Sequence, residues 1–141
     1  MSTAETRKPF GISPRALVRN AEGRYLFVRR SGLSRHHAGT WEPPGGKMDA
    51  GETVDVTLER EVAEETGLRI RDMRVAGAVE GETEQARFVG LMMEAVAEPG
   101  EVTLSEEHDA FVWVTPAEAA RLDLSSMYSA FIQSWAEAKG R

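Results

Sequence analysis

Between Trp41 and Gly67 the chain passes from a segment that admits neither helix nor regular strand into one suited to little except helix. Residues 41 to 52, WEPPGGKMDAGE, hold two prolines and three glycines in twelve positions, a density of chain-bending residues that marks a loop. From Thr53 onward the sequence TVDVTLEREVAEET contains no glycine or proline. Thr53 has the side chain of an N-cap, Asp55 suits the positive end of a helix dipole, and Gly67 suits a left-handed C-cap. A helix starting after Thr53 places Glu61, Glu64 and Glu65 within about 100° of arc, because positions i, i+3 and i+4 share a face. Val54 and Leu58 lie in or beside the same sector, so the carboxylates border the apolar seam. Like charges crowded on a seam repel one another and lose hydration, and a hard divalent cation with oxygen ligands relieves both costs. On the helix alone, a solvated acidic face is the favoured reading, since acidic helices are common.

Charge along the chain sharpens that reading. Residues 1 to 47 carry nine Lys/Arg against three acids, a local balance of +6, although the whole chain is −6. Residues 52 to 65 carry Glu52, Asp55, Glu59, Glu61, Glu64 and Glu65 against Arg60, a balance of −5. A basic arm and an acidic helix in one small domain suit an anionic ligand held against a carboxylate-bound metal, and the net charge argues against a nucleic-acid polymer as partner. The absence of cysteine excludes thiol catalysis, Cys-ligated zinc and iron–sulfur chemistry. No run approaches the roughly 20 apolar residues needed to cross a bilayer, so a cytoplasmic protein without a membrane partner is the expectation.

The remaining elements read as one mixed α/β unit over residues 1–141. RALVR (Arg15–Arg19) and RYLFVRR (Arg24–Arg30), separated by Asn-Ala-Glu-Gly, suggest a hairpin. The consecutive Leu26, Phe27 and Val28 suggest a strand covered on both faces. Residues 31 to 40 read as a loop. Strands are expected around Met73 to Val79, Phe88 to Ala97 and Ala110 to Val114. Thr115-Pro116-Ala117-Glu118 has the form of a capping box. Met127, Phe131, Trp135 and Ala138 fall at helical spacing and are expected to pack a last helix onto the core.

Gly46, five residues, Glu52, seven residues, then Arg60-Glu61-Val62-Ala63-Glu64-Glu65-Thr66-Gly67-Leu68 resembles the Nudix box with every fixed and aliphatic position filled. Seven fixed residues at about 7% usage each coincide by chance on the order of once in 10⁸ starting positions, which displaces the solvated-face reading. Trp41-Glu42-Pro43-Pro44-Gly45-Gly46 resembles the family's entry to the box, with Pro43 where many members carry an aliphatic residue. The resemblance implies an α/β/α sandwich with a mixed central sheet, whose box forms a loop, a helix and a loop. It also implies hydrolysis of a nucleoside diphosphate linked to another group, using Mg2+ or Mn2+. Phosphoryl-type transfer rests on positioning and charge neutralisation, which clustered carboxylates and basic side chains supply.

Carried over by position, the resemblance makes Glu61, Glu64 and Glu65 metal ligands, with the Gly45 carbonyl as a further one. Arg60 orients Glu61, and Glu52 is an accessory acid against the helix. Arg30 and Lys47 are candidates for phosphate binding; for Arg30 a surface strand charge is an equal alternative. The family often takes its general base from a loop outside the box, which points here to Glu107 in Ser105-Glu106-Glu107-His108-Asp109, with Glu106 and Glu61 as alternatives. His108 is expected to make a loop-fixing hydrogen bond, with a proton shuttle as the alternative; His36 and His37 are expected as exposed bystanders. Tyr128 or Trp113 is available to stack on or border a base. The marks of ADP-ribose and diadenosine polyphosphate members are missing after the box. The Leu124-Ser125-Ser126-Met127-Tyr128 segment lacks the Asn or Asp with which members clearing oxidised guanine nucleotides read the base. The expected substrate is therefore a nucleoside triphosphate or modified nucleotide. An ADP-ribose or nucleotide-sugar pyrophosphatase, a non-catalytic nucleotide sensor and a plain calcium-binding domain are the competing readings.

Overall fold

The computed structural model of the chain describes residues 8–34 and 37–141. Strands β1 (Phe10–Arg19), β2 (Tyr25–Arg30) and β3 (Trp41–Glu42) precede helix α1 (Val54–Thr66). They are followed by β4 (Ile70–Glu82), β5 (Arg87–Ala97), β6 (His108–Val114), α2 (Pro116–Ala119) and α3 (Ser126–Lys139). One mixed sheet runs in the order β3-β2-β1-β5-β4, with β6 paired to β2. β1 and β5 are parallel over ten residue pairs, from Phe10↔Arg87 to Arg19↔Val96; the other pairings are antiparallel.

Alternation along β1 sorts side chains to two cores, as the pleat requires. Ala16 and Val18 join Leu26 under Leu58 and Val62 of α1. Leu17 faces the opposite way, with Tyr25 and Phe27, against Tyr128, Ile132 and Trp135 of α3. Tyr25 to Val28 are all buried, as expected for a strand between two layers. The result is the α/β/α sandwich that the sequence led us to expect.

Local signals for the helices hold in detail. The Thr53 side chain accepts from the Val56 amide, and Gly67 ends α1 at φ 73° with its N–H on the Ala63 carbonyl. Thr115 and Glu118 complete a reciprocal capping box on α2.

Three sequence expectations need correction. The β1–β2 hairpin exists only at its turn, where Arg19 pairs with Tyr25. The strands then part, and the box's entry loop takes β2's place beside β1. Ala16 N–H donates to the Pro44 carbonyl at 2.7 Å, Gly46 N–H to the Pro14 carbonyl at 3.1 Å and Met48 N–H to the Ile12 carbonyl at 2.9 Å. Trp41–Glu42, expected as loop, is a two-residue strand on Val28 and Arg29, because Pro43 stops pairing only after it. β4 is thirteen residues long where about seven were expected. Its N-terminal end alternates poorly and is held by pairing to β5 across two register shifts, a tertiary effect without a local signature.

Candidate active site

The gap where β1 and β2 part, filled by the entry loop, determines what α1 packs against. Gly45 sits against β1 so closely that a Cβ there would collide with the Pro14 carbonyl oxygen and the Arg15 Cα. At Gly46 a Cβ would lie 2.5–2.7 Å from the carboxylate atoms of Glu61. Two successive glycines therefore let the loop pass between strand and helix with the Glu61 carboxylate resting on it.

Arg60 ties that carboxylate down. Its Nη1 donates to Glu61 Oε1 at 2.9 Å, while Nε and Nη2 form a fork on Glu52 at 2.8 and 2.9 Å. The same Nη1 lies 3.5 Å from Glu64. Glu52 also accepts from Thr57 Oγ1 and from the Asp49 amide. Hydrogen bonds from Arg60, then from the Asp49 backbone and Thr57, hold the Glu52 carboxyl down to about 2 against the cost of desolvation. The three carboxylates of α1 grade from solvent to interior: Glu64 is exposed, Glu61 half-buried and Glu65 buried.

Glu65 opens onto a polar thread through the split sheet. Glu65 Oε1 is buried without a hydrogen-bond partner among the described residues, as is His108 Nδ1, 3.6 Å away. On its other side His108 Nε2 lies 2.9 Å from Glu42 Oε2. Glu42 is also shared by Arg30, at 3.1 and 3.2 Å, and by Arg15, at 3.4 Å. The Arg15 guanidinium stands 5.4 Å from the centre of the Tyr128 ring. The thread thus runs from α1, through β6, β3, β2 and β1, to α3. Burial pushes the Glu42 carboxyl up, but Arg15, the His108 hydrogen bond and Arg30 together hold it down to about 2. At Glu65 burial dominates: opposed by Arg15 and reinforced by Glu61, it pushes that carboxyl up to about 9.

An oxygen of Glu107, an oxygen of Glu65 and a ring nitrogen of His108 lie within 4.8 Å of one another. The segment carrying Glu106 and Glu107 is pinned to the end of β2, where Ser31 Oγ donates to the Glu106 carbonyl and Ser31 N–H to that of Glu107. A buried carboxylate oxygen without a donor, beside Glu61 and Glu107, fits a hard divalent cation; such a charge stabilises the ionised form that burial alone opposes.

Two adjoining clefts flank this centre. The larger, about 500 Å³, is lined by Arg15, Arg30, Glu42, Phe88, Met127 and Tyr128, among others. The smaller, about 280 Å³, is lined by Lys47, Phe10, Ile12, Arg15 and Phe88. Arg30 and Lys47 therefore face different clefts, with Arg15 and Phe88 common to both. Arg30 is engaged by the buried Glu42, which corrects its reading as a surface strand charge. Tyr128 borders the large cleft from within the core. Trp113 is corrected: it packs on the α1 side of the sheet with Leu26 and Leu58 and lines a groove with Asn20, Leu68 and Gly100, outside both clefts. His108 does form a hydrogen bond, but its partner is Glu42 inside the sheet. His37 is exposed at the rim of the large cleft; His36 lies outside the described residues. Arg15, Glu42, Phe88 and Met127 were missed by sequence reasoning. The only local hints were an Arg adjoining Ala-Leu-Val in a strand and a Glu between Trp and Pro.

Comparison with known proteins follows the same lines. The family model described as the NUDIX domain matches residues 9–134. Nucleoside triphosphatase NudI of Enterobacter sp. (strain 638) is 32% identical over 114 residues, 73% of this chain and 81% of that protein. A protein of Mycobacterium tuberculosis named putative 8-oxo-dGTP diphosphatase 2 is 40% identical over 86 residues, 61% of each chain. The crystal structure of MutT protein from Methanosarcina mazei Go1 superposes with a TM-score of 0.82 at 32% identity, covering 96% of this chain and 99% of that one.

Proposed function

The chain belongs to the NUDIX family and is a pyrophosphohydrolase acting on nucleotides, and from that premise we propose that it hydrolyses a nucleoside triphosphate, or a modified one, to a nucleoside monophosphate and pyrophosphate. The observation that carries the reading is the buried Glu65 oxygen, unpartnered among the described residues, beside Glu61 and Glu107 and one polar thread away from a cleft that Arg15 and Arg30 line and that is large enough for a nucleoside. Glu61, Glu64, Glu65 and the Gly45 carbonyl would hold Mg2+ or Mn2+. Bound there, the cation supplies Lewis acidity and neutralises charge on the phosphates.

The chain's own groups do the rest. Glu107 accepts a proton from the water whose oxygen attacks phosphorus, and the anhydride P–O bond breaks with its electron pair leaving on the departing pyrophosphate. Arg60, itself fixed by Glu52, orients Glu61. Arg30 and Lys47 bind phosphate oxygens, and Tyr128 closes the base end of the cleft. A panel of nucleotides and nucleotide sugars assayed with magnesium, with products identified by mass, tests the reading. Monophosphate and pyrophosphate are expected; release of orthophosphate alone, or no product from any triphosphate, overturns it.

Two further outcomes follow from this site. Glu107→Gln is expected to lower the maximal rate by about 10²-fold at saturating magnesium and leave metal affinity nearly intact. Glu106→Gln, one residue away, is the mild control; the reverse ranking in steady-state kinetics moves the base to Glu106, and full activity in both returns it to Glu61. Magnesium is also expected to stabilise the fold, since the unfolded chain has no preformed site: at a hundredfold excess over Kd the melting temperature rises by roughly 5–10 °C. In Glu65→Gln that rise shrinks, while the metal-free variant melts no lower than the parent, because a buried carboxyl is exchanged for an amide of the same shape. Identical melting with and without millimolar metal in the parent removes the clamp.

A further inference from the structure

The large cleft has a floor of hydrogen-bond donors. Arg15 lies at its base with its side chain only 13% exposed. Its Nη1 reaches the Pro43 carbonyl at 3.2 Å and Glu42 at 3.4 Å, while its Nε is buried away from the cleft without a partner among the described residues. Glu42, the carboxylate of the floor, is already divided among Arg15, Arg30 and His108. Ser125 borders the same space as the N-cap of α3, with no side-chain hydrogen bond to the helix. The walls are apolar. Phe88 and Met127 converge above Gly81, where a Cβ would lie 2.6 Å from the Phe88 ring and 3.0 Å from the Met127 methyl. The exposed Glu84 on the β4–β5 turn lines the opposite rim and repels polyphosphate there. A nucleotide therefore enters with its phosphates toward Arg30 and α1 and its base against the apolar wall of Phe88 and Met127, one edge on Arg15.

We propose that Arg15 determines base specificity, favouring bases that present a keto oxygen over those that present an exocyclic amino group at the same edge. A guanidinium carries donors and no acceptor, so it matches a keto oxygen. An amino group in that place sets donor against donor and leaves buried groups unpaired, which is how a polar site rejects a near-isostere. The proposal rests on the nucleotide reading above and adds the class of base.

Two pairs of nucleotides isolate the effect: dITP against dATP, and dUTP against dCTP, each differing at the keto or amino position and its neighbouring ring nitrogen. The parent enzyme is expected to favour the keto member of each pair in kcat/KM by about tenfold or more, mainly through KM. In Arg15→Met both ratios fall toward one, because the keto members lose more than the amino members. Arg15→Lys, which keeps the charge but not the fork, gives intermediate ratios and serves if the Met variant fails to fold. Equal or amino-favouring ratios in the parent overturn the proposal. So does a uniform fall of all four substrates in the variants, the mark of a purely structural arginine. Displacement of a fluorescent nucleotide by the corresponding monophosphates reads the same preference without turnover. Keto-selective displacement with no hydrolysis would sink the enzymatic reading and keep this one; unselective displacement and hydrolysis would do the opposite.

Discussion

Glu61→Gln is expected to reduce turnover by about 10²-fold or more while nucleotide affinity changes little. The substitution keeps the shape that rests on Gly46 and leaves Arg60 its fork on Glu52, so the helix and the entry loop stay in place. What changes is one negative charge between Arg60 and the buried Glu65. Whether Glu61 serves as a metal ligand or as the base, that charge acts on the reacting centre, and losing a positioned acid–base or ligating group has effects on this scale. The large cleft, whose floor is Arg15, Arg30 and Glu42, contains no Glu61 atom, so binding measured by displacement of a fluorescent nucleotide should hold. Unchanged turnover in this variant, with the parent active, would remove Glu61 from catalysis.

A single methyl group at Gly46 is expected to do nearly as much damage. The added Cβ would meet all three atoms of the Glu61 carboxyl at 2.5–2.7 Å, well inside van der Waals contact. The carboxylate end can move, but only by leaving Arg60 Nη1, now at 2.9 Å, or by pushing the loop off β1 and breaking the Gly46–Pro14 hydrogen bond. A displacement of about 1 Å in a catalytic group costs on the order of 10²-fold, so Gly46→Ala should lower kcat by about that factor with a modest loss of stability. Gly51→Ala provides the contrast. Gly51 has φ 86° and open space around it, so an added methyl strains the backbone by about 1 kcal/mol without touching the site. Stability should fall there and kcat should not. If Gly46→Ala retains full kcat, the packing of Glu61 on the loop has no catalytic meaning.

The two experiments separate what lies in the chain's order from what lies in its folding. The acidic helix, its caps and its three clustered carboxylates are set by spacing over fewer than twenty residues, where helical geometry converts sequence distance into position. For that reason Thr53, Gly67 and the Arg60–Glu61 pair were legible before any coordinates, as was the covered strand Tyr25–Val28. The prolines and glycines of the entry loop told equally well that the chain must bend there.

Folding alone decided what the bend meets. β1 parts from β2 after a single pair and the entry loop takes the vacated edge, while the other edge of β1 pairs in parallel with β5, some 77 residues away at Phe10↔Arg87. That exchange opens the sheet and draws Arg15, Glu42 and His108 into one buried network, although Glu42 and His108 stand 66 residues apart. No local pattern distinguishes those three from ordinary surface charges, since what makes them buried partners is long-range strand pairing. From the order of residues alone came the carboxylate-bearing helix and the family of chemistry. Which cations line the large cleft was settled only on folding, because charges buried in common must be brought together by segments that have no contact until the sheet forms.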